Sequence, residues 1–166
     1  IHMPLALGAG VAAGAAWAAL PGYLKARLGV HEVINTIMMN YIALYLSHYL
    51  VIGPLKAPGP LPVTPTIAPG ARLWRFLPPT RLHLGIIVAF GAVWLVYYIL
   101  FRTTLGYEIR AVGQNPEAAR YGGISVRKSI LVAMIISGGL AGAAGAIQVL
   151  GLQYKFLDVF SFTGYG

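Results

Sequence analysis

The chain of 166 residues contains no cysteine. That excludes a disulfide framework and any thiolate metal site, and it leaves the redox compartment open. Charge is also scarce. Asp, Glu, Lys and Arg together make 10% of the chain, against about 25% in soluble domains. Acids are the scarcest, with 4 Asp and Glu against 12 Lys and Arg, for a formal net charge of +8. The apolar share is 58%, and counting the 21 Gly in place of the 10 Tyr raises it further, above the about 45–50% of a soluble domain. So little charge cannot cover a soluble surface, which excludes soluble and disordered classes. A basic excess can mark a nucleic-acid partner, because Lys and Arg neutralise phosphates. Here the bases form short clusters between long apolar runs, as where a membrane protein meets anionic headgroups. A lipid bilayer is the expected partner, and nucleic acid is not.

Four stretches lack Asp, Glu, Lys and Arg: 1–24, 33–55, 82–101 and 129–154. A bilayer core about 30 Å thick needs about 20 helical residues. Within hydrocarbon each backbone N–H and C=O must be paired inside its own segment, so such runs form helices. The expectation is an all-α polytopic membrane protein with spans near 4–20, 33–52, 84–101 and 129–150, the whole of 1–166 being part of one transmembrane domain. The first run lacks the basic start and initiator Met of a signal peptide. A fifth charge-free run, 57–71, carries Pro58, Pro60, Pro62, Pro65 and Pro69, and repeated proline blocks helix. It belongs to a Pro-rich segment, 53–83, with Trp74 and Phe76 near its far end. That segment is expected to be an ordered extracytoplasmic loop lying on the bilayer.

The two other connections, 21–32 and 102–128, share a side if the spans alternate. They hold Lys25, Arg27, Arg102, Arg110, Arg120, Arg127 and Lys128, more bases than the other side carries. The positive-inside rule makes that side cytoplasmic. Small residues recur every four positions at Ala6, Gly10, Gly14 and Ala18, and again at Gly138, Gly142 and Ala146. Such stripes let helix backbones approach closely; an Ala-rich segment also produces them without any packing role.

Catalytic patterns are missing. No Gly precedes a Lys, so there is no phosphate-cradling G-x-x-x-x-G-K-[ST] loop. His31-Glu32 opens an H-E-x-x-H pattern that closes on Asn35, so the two-imidazole zinc face is absent. His2, His48 and His83 stand apart, no G-x-S-x-G occurs, and Glu32, Glu108, Glu117 and Asp158 form no close pair. No enzyme, cofactor or metal is expected.

The informative stretch is 104–126, T-L-G-Y-E-I-R-A-V-G-Q-N-P-E-A-A-R-Y-G-G-I-S-V. Its middle encodes a short helix. Asn115 suits the N-cap, Pro116 the first position, and Glu117 the positive N-terminal dipole; Arg120 falls near the end and Gly122-Gly123 stops it. A helix this short needs a supporting surface. On physics alone it could be an ordinary connection between spans.

The run Arg110–Ile124, R-A-V-G-Q-N-P-E-A-A-R-Y-G-G-I, resembles the cytoplasmic coupling loop of ABC importer permeases of the branched-chain amino acid, ribose and nucleoside superfamily. G-V-H-E-V-I-N-T-I-M-M-N-Y-I-A at 29–43, S-G-G-L-A-G-A-A-G-A at 137–146 and Q-V-L-G at 148–151 are similar to the simple-sugar and nucleoside branch. His31 stands where that branch commonly has Asn. The resemblance covers nearly the whole chain, while permeases of this kind have about twice as many spans, so an internal fragment is expected. The resemblance implies a pore-forming subunit without catalysis in a bacterial cytoplasmic (inner) membrane. An ATP-binding subunit would take Arg110, Gly113, Asn115, Pro116, Glu117, Ala118, Ala119, Arg120, Tyr121 and Gly122 as its docking and coupling surface. A second permease subunit and an extracytoplasmic substrate-binding lipoprotein complete the implied assembly.

Span 33–52 is the most polar. Glu32, Thr36 and Asn40 fall at i, i+4 and i+8, with Ser47 seven further on. Polar groups in a span face the bundle interior or a water-filled path. Their neutrality within the span fits a polyhydroxylated solute, on which Tyr41 and Tyr45 could stack; Gln148 is a further candidate. Interhelical hydrogen bonding explains the same residues. The expected solute is a nucleoside or simple sugar, with a branched-chain amino acid second. An ion-coupled secondary transporter comes after these, because no span but that of His48 holds an ionisable side chain.

Overall fold

A computed structural model describes residues 2–59, 63–67, 73 and 84–156. Among the described residues six α-helices follow one another: α1 His2–Leu28, α2 Glu32–Ile52, α3 Gly85–Arg102, α4 Thr104–Gln114, α5 Pro116–Tyr121 and α6 Val126–Gln148. A π-helical turn, Val149–Gln153, extends α6 and ends at Tyr154 in the left-handed region (φ 56). Among the described residues, Met3–Leu28, Gly85–Arg102 and Val126–Gln153 are long and apolar enough to cross a membrane. The second expected span, α2, is helical over 21 residues but is not one of these three. Its Asn35, Thr36, Asn40, Ser47 and His48 dilute an otherwise apolar helix.

Two boundaries differ from the expectation. Helix α1 does not stop before Pro21 but continues through it to Leu28. Proline lacks the N–H that would bond the Trp17 carbonyl four residues earlier, yet membrane helices tolerate it, and a separate contact ties this turn to the next helix. Asn35 of α2 donates its Nδ2 to the Pro21 carbonyl at 3.1 Å, and it is buried in doing so. The connection 102–128 is likewise no loop with one short helix. It holds all of α4 and α5 and the start of α6.

The most extensive contact is between α1 and α6. They run antiparallel, and glycine makes the crossing possible. A Cβ on Gly14 would lie 2.8 Å from Gly142 Cα, and one on Gly142 would lie 3.1 Å from Gly14 Cα. One turn away, a Cβ on Gly10 would lie 2.7 Å from Ala146 Cβ, while Gly138 meets Ala18 and Gly14. At the far end Gly22 faces Met134. The two four-residue stripes therefore meet each other along one seam.

The described part of the Pro-rich segment is strapped to the other end of this pair. Thr64 N donates to Phe156 O (3.1 Å), Ile67 N to Tyr154 O (2.8 Å) and Leu73 N to Leu150 O (3.1 Å). Leu73 and Leu150 are buried there among Met3, Ala6, Leu7, Leu84 and Ile147. Each donor is a non-proline residue, as it must be. Trp74 and Phe76 lie outside the described residues. The described residues thus form two ends, one holding 53–59, 63–67, Leu73 and Leu84 with the π turn, the other holding the α1–α2 turn with α4 and α5.

Candidate functional site

At the second end, α4 and α5 are locked locally. Thr103 caps α4: its Oγ1 accepts from Gly106 N at 3.2 Å and donates to Ile99 O at 2.6 Å. Gly106 rests on the backbone of Ile99 and Leu100, where a side chain would not fit. Helix α4 folds back beside α3, and Arg110 stacks over the Phe101 ring at 4.8 Å, a cation–π contact. Val112 is buried. Leu105, Ile109 and Val112, at i, i+4 and i+7 after the Thr103 cap, are the signal that sequence reasoning passed over for this helix.

Asn115 is the joint between the two helices. Its N–H closes α4 on Ala111 O (3.1 Å). Its Oδ1 opens α5 by accepting from Glu117 N (3.0 Å) and Ala118 N (3.1 Å). Pro116 takes the first helical position. At the other end Gly123 N–H donates to Arg120 O and Ile124 N–H to Ala119 O, both at 3.0 Å. Gly123 has φ 80, which completes a Schellman stop. Of the Gly-Gly pair it is Gly123, not Gly122, that needs the left-handed conformation.

This six-residue helix has an inside and an outside. Ala119 is buried, and α5 touches α4 and α6. Pro116, Glu117, Ala118, Arg120 and Gly122 are exposed, and Tyr121 is 93% exposed. Glu117 and Arg120 pair at 3.7 Å with both side chains in solvent, an arrangement worth about 0–1 kcal/mol. The outward surface is therefore small, rigid and of mixed charge, with an aromatic ring at its tip. Arg110 and Gly113 sit apart from it on α4, and Gly113 is exposed.

The residues of α2 do not form one site. Thr36, Asn40 and Ser47 lie within about 40° of each other around the helix, whereas Tyr41 is about 100° beyond Asn40. Thr36 Oγ1 and Ser47 Oγ donate to their own helix, to Val33 O (3.1 Å) and Leu44 O (2.9 Å). Asn40, Tyr41 and Tyr45 are exposed. Gln148 is on α6, beside the π turn, and the marked contact of α2 is with α1. The structure groups Thr36, Asn40 and Ser47 as a stripe, and places Tyr41 and Gln148 elsewhere. Asn35, considered in the sequence only as the failed end of a zinc pattern, is the polar residue that ties α2 to α1.

Residues 1–165 match the family described as branched-chain amino acid transport system / permease component. The guanosine ABC transporter permease protein NupP of Bacillus subtilis is 45% identical over 100% of this chain and 49% of its own length. The nucleoside ABC transporter permease protein NupB of Lactococcus lactis is 34% identical over 95% of this chain and 46% of its own. The glucose ABC transporter permease protein TsgB13 of Haloferax volcanii is 32% identical over 99% of this chain and 46% of its own. The chain spans about half the length of these curated relatives. No solved structure matches it.

Proposed function

The chain belongs to the branched-chain amino acid transport system permease family, and from that premise we propose that it is membrane-spanning permease sequence of an ATP-binding-cassette importer for nucleosides. The observation that carries the reading is similarity along the entire chain to a permease named for guanosine. A simple sugar is the second reading, favoured by the glucose permease among the relatives. The family description names branched-chain amino acids, but the relatives described above are named for other solutes.

The geometry supports a division of labour. The chain holds no phosphate-binding loop, so ATP hydrolysis falls to a separate subunit that docks on the outward surface of α5. A helix capped at both ends moves as one body. Closure of the ATP-binding subunit would push α5, which bears on α6, and α6 carries α1 with it through the glycine seam. Helix α2 acts as the fourth span, and its Thr36–Asn40–Ser47 stripe lines a polar path rather than lipid. The α5 end is cytoplasmic, and the strapped Pro-rich end receives a substrate-binding lipoprotein. A second permease subunit completes the pore in the cytoplasmic membrane.

Uptake of labelled guanosine by cells with and without the gene tests the solute. The reading expects loss of uptake on deletion, with excess unlabelled nucleoside competing and excess glucose or leucine not. Competition by glucose alone favours the sugar reading, and unchanged guanosine uptake overturns the nucleoside one.

A further inference from the structure

Three departures from regular structure fall together in six residues, 149–154. The first is the π turn itself, in which Tyr154 N–H reaches back five residues to Val149 O at 2.9 Å. Such turns are rare and concentrate at functional sites. The second is Tyr154, the one non-glycine residue at positive φ among the described residues, a conformation that a bulky side chain disfavours. The third is Gln153, whose Oε1 is buried without a hydrogen-bond partner, alone in this among the described side chains. A buried acceptor without a donor opposes the conformation that buries it.

The bonds to the Pro-rich segment offset these costs. Leu73 N–H donates to Leu150 O and Ile67 N–H to Tyr154 O. Thr64 and Phe156 bond twice, from Thr64 N to Phe156 O and from Phe156 N to Thr64 Oγ1 at 2.9 Å. This arrangement depends on the π register. In an α-helix Tyr154 N–H would bond the carbonyl four residues back, and that is Leu150 O, the acceptor that Leu73 N–H now uses. Skipping to Val149 O leaves Leu150 O for the strap. Rewinding the turn by that one residue would return Tyr154 N–H to Leu150 O and let Tyr154 leave the left-handed region. It would also carry residues 154 and 156 away from Ile67 and Thr64.

We propose that residues 149–154 and the strap form a two-state latch. In the π register the latch is closed, with Thr64, Ile67 and Leu73 held on the end of the α1–α6 pair. In the α register it is open, and the strap's N–H groups are free for other acceptors. A docked protein that offers those acceptors favours the open state. In the importer proposed above, on which this use of it rests, the latch controls solute entry at the end that receives the substrate-binding lipoprotein.

The test uses the full-length permease with its ATP-binding subunit in nanodiscs, carrying spin labels on Gly8→Cys and Thr66→Cys. Both positions are exposed, and a Cβ at Gly8 meets nothing within 4 Å. Pulsed dipolar spectroscopy then reads the distance from α1 to the strap, and two distances are expected. Tyr154→Gly has no Cβ to oppose positive φ and should enrich the shorter one. Tyr154→Val, with a branched Cβ that opposes it strongly, should enrich the longer one. The closed-to-open ratio should differ between these two variants by about tenfold. Gln153→Leu, which removes the orphaned acceptor, should also favour the shorter distance. Ile67→Pro, which deletes one strap donor in a segment already rich in proline, should favour the longer. Uptake should fall in Tyr154→Gly, and normal uptake with a shifted distance would overturn the role in entry. One distance in every variant, or equal ratios for Tyr154→Gly and Tyr154→Val, overturns the latch itself. The labels report without solute, so a lack of guanosine uptake by the unmodified permease counts against the solute reading alone.

Discussion

A Cβ at Gly142 meets the backbone of Gly10 and Gly14, which cannot swing aside as a side chain can. Gly142→Leu should therefore force α1 and α6 apart and cost about 1–3 kcal/mol or more, read as lower thermal stability of the purified protein in detergent. Gly145 lies on the same helix with nothing within 4 Å of a built Cβ. Gly145→Ala should be neutral or stabilising by up to about 1 kcal/mol, because alanine is the better helix former. Equal effects at both positions would refute the seam. Asn35 gives a second contrast. Asn35→Leu removes the bond to Pro21, at a cost of about 0.5–2 kcal/mol for such interhelical bonds, whereas the exposed Asn40 should tolerate Leu with a smaller loss of stability in the same assay. The glycine stripes were legible because small residues at four-residue spacing let helix backbones approach closely; the structure, not the pattern, separates packing from a merely Ala-rich segment. Asn35 was not, because its partner is a main-chain carbonyl 14 residues away, which no side-chain pattern reveals.

At the scale of elements, α5 was the most legible part of the chain. Its cap, first-position proline, acidic first turn and glycine stop are all local signals; the cap and the stop have their counterparts in the hydrogen bonds of Asn115, Gly123 and Ile124, and Pro116 and Glu117 fall in the first turn. Helix α4 was less legible, since its 11 residues carry a three-position apolar stripe inside a stretch read as a loop. The end of α1 was misplaced because the span was cut at bilayer length, whereas the helix runs on through Pro21 to Leu28. The caps lead to a prediction that separates docking from folding. Asn115→Ala removes two bonds at once and should cost about 0.5–2 kcal/mol locally, loosening the corner between α4 and α5. Glu117→Lys only inverts a dipole interaction of about 0.3–1 kcal/mol, so membrane insertion should stay normal. In the proposed importer both changes should reduce solute uptake and co-purification of the ATP-binding subunit. Normal uptake and normal co-purification with Glu117→Lys would return α5 to the role of a plain connection.

On the scale of the whole molecule, apolar run length and charge placement foretold an all-helical membrane chain, and three of the four expected spans meet that description. The fourth, α2, is where composition ceases to decide, because a helix with polar stations can line a path inside the membrane or lie outside it. Which helices pair was also beyond the run pattern, since α1 and α6 are remote in sequence and meet through residues such as Gly14 and Gly142. The account depends most on α5 facing an ATP-binding subunit while α3 faces lipid or further spans. A photo-activated benzophenone amino acid at position 121, where Tyr121 is 93% exposed, tests this in native membranes, with position 93 in the middle of α3 as the reference. Position 121 should capture the ATP-binding subunit and position 93 should not. Capture of that subunit from neither position, or from both alike, would contradict the account.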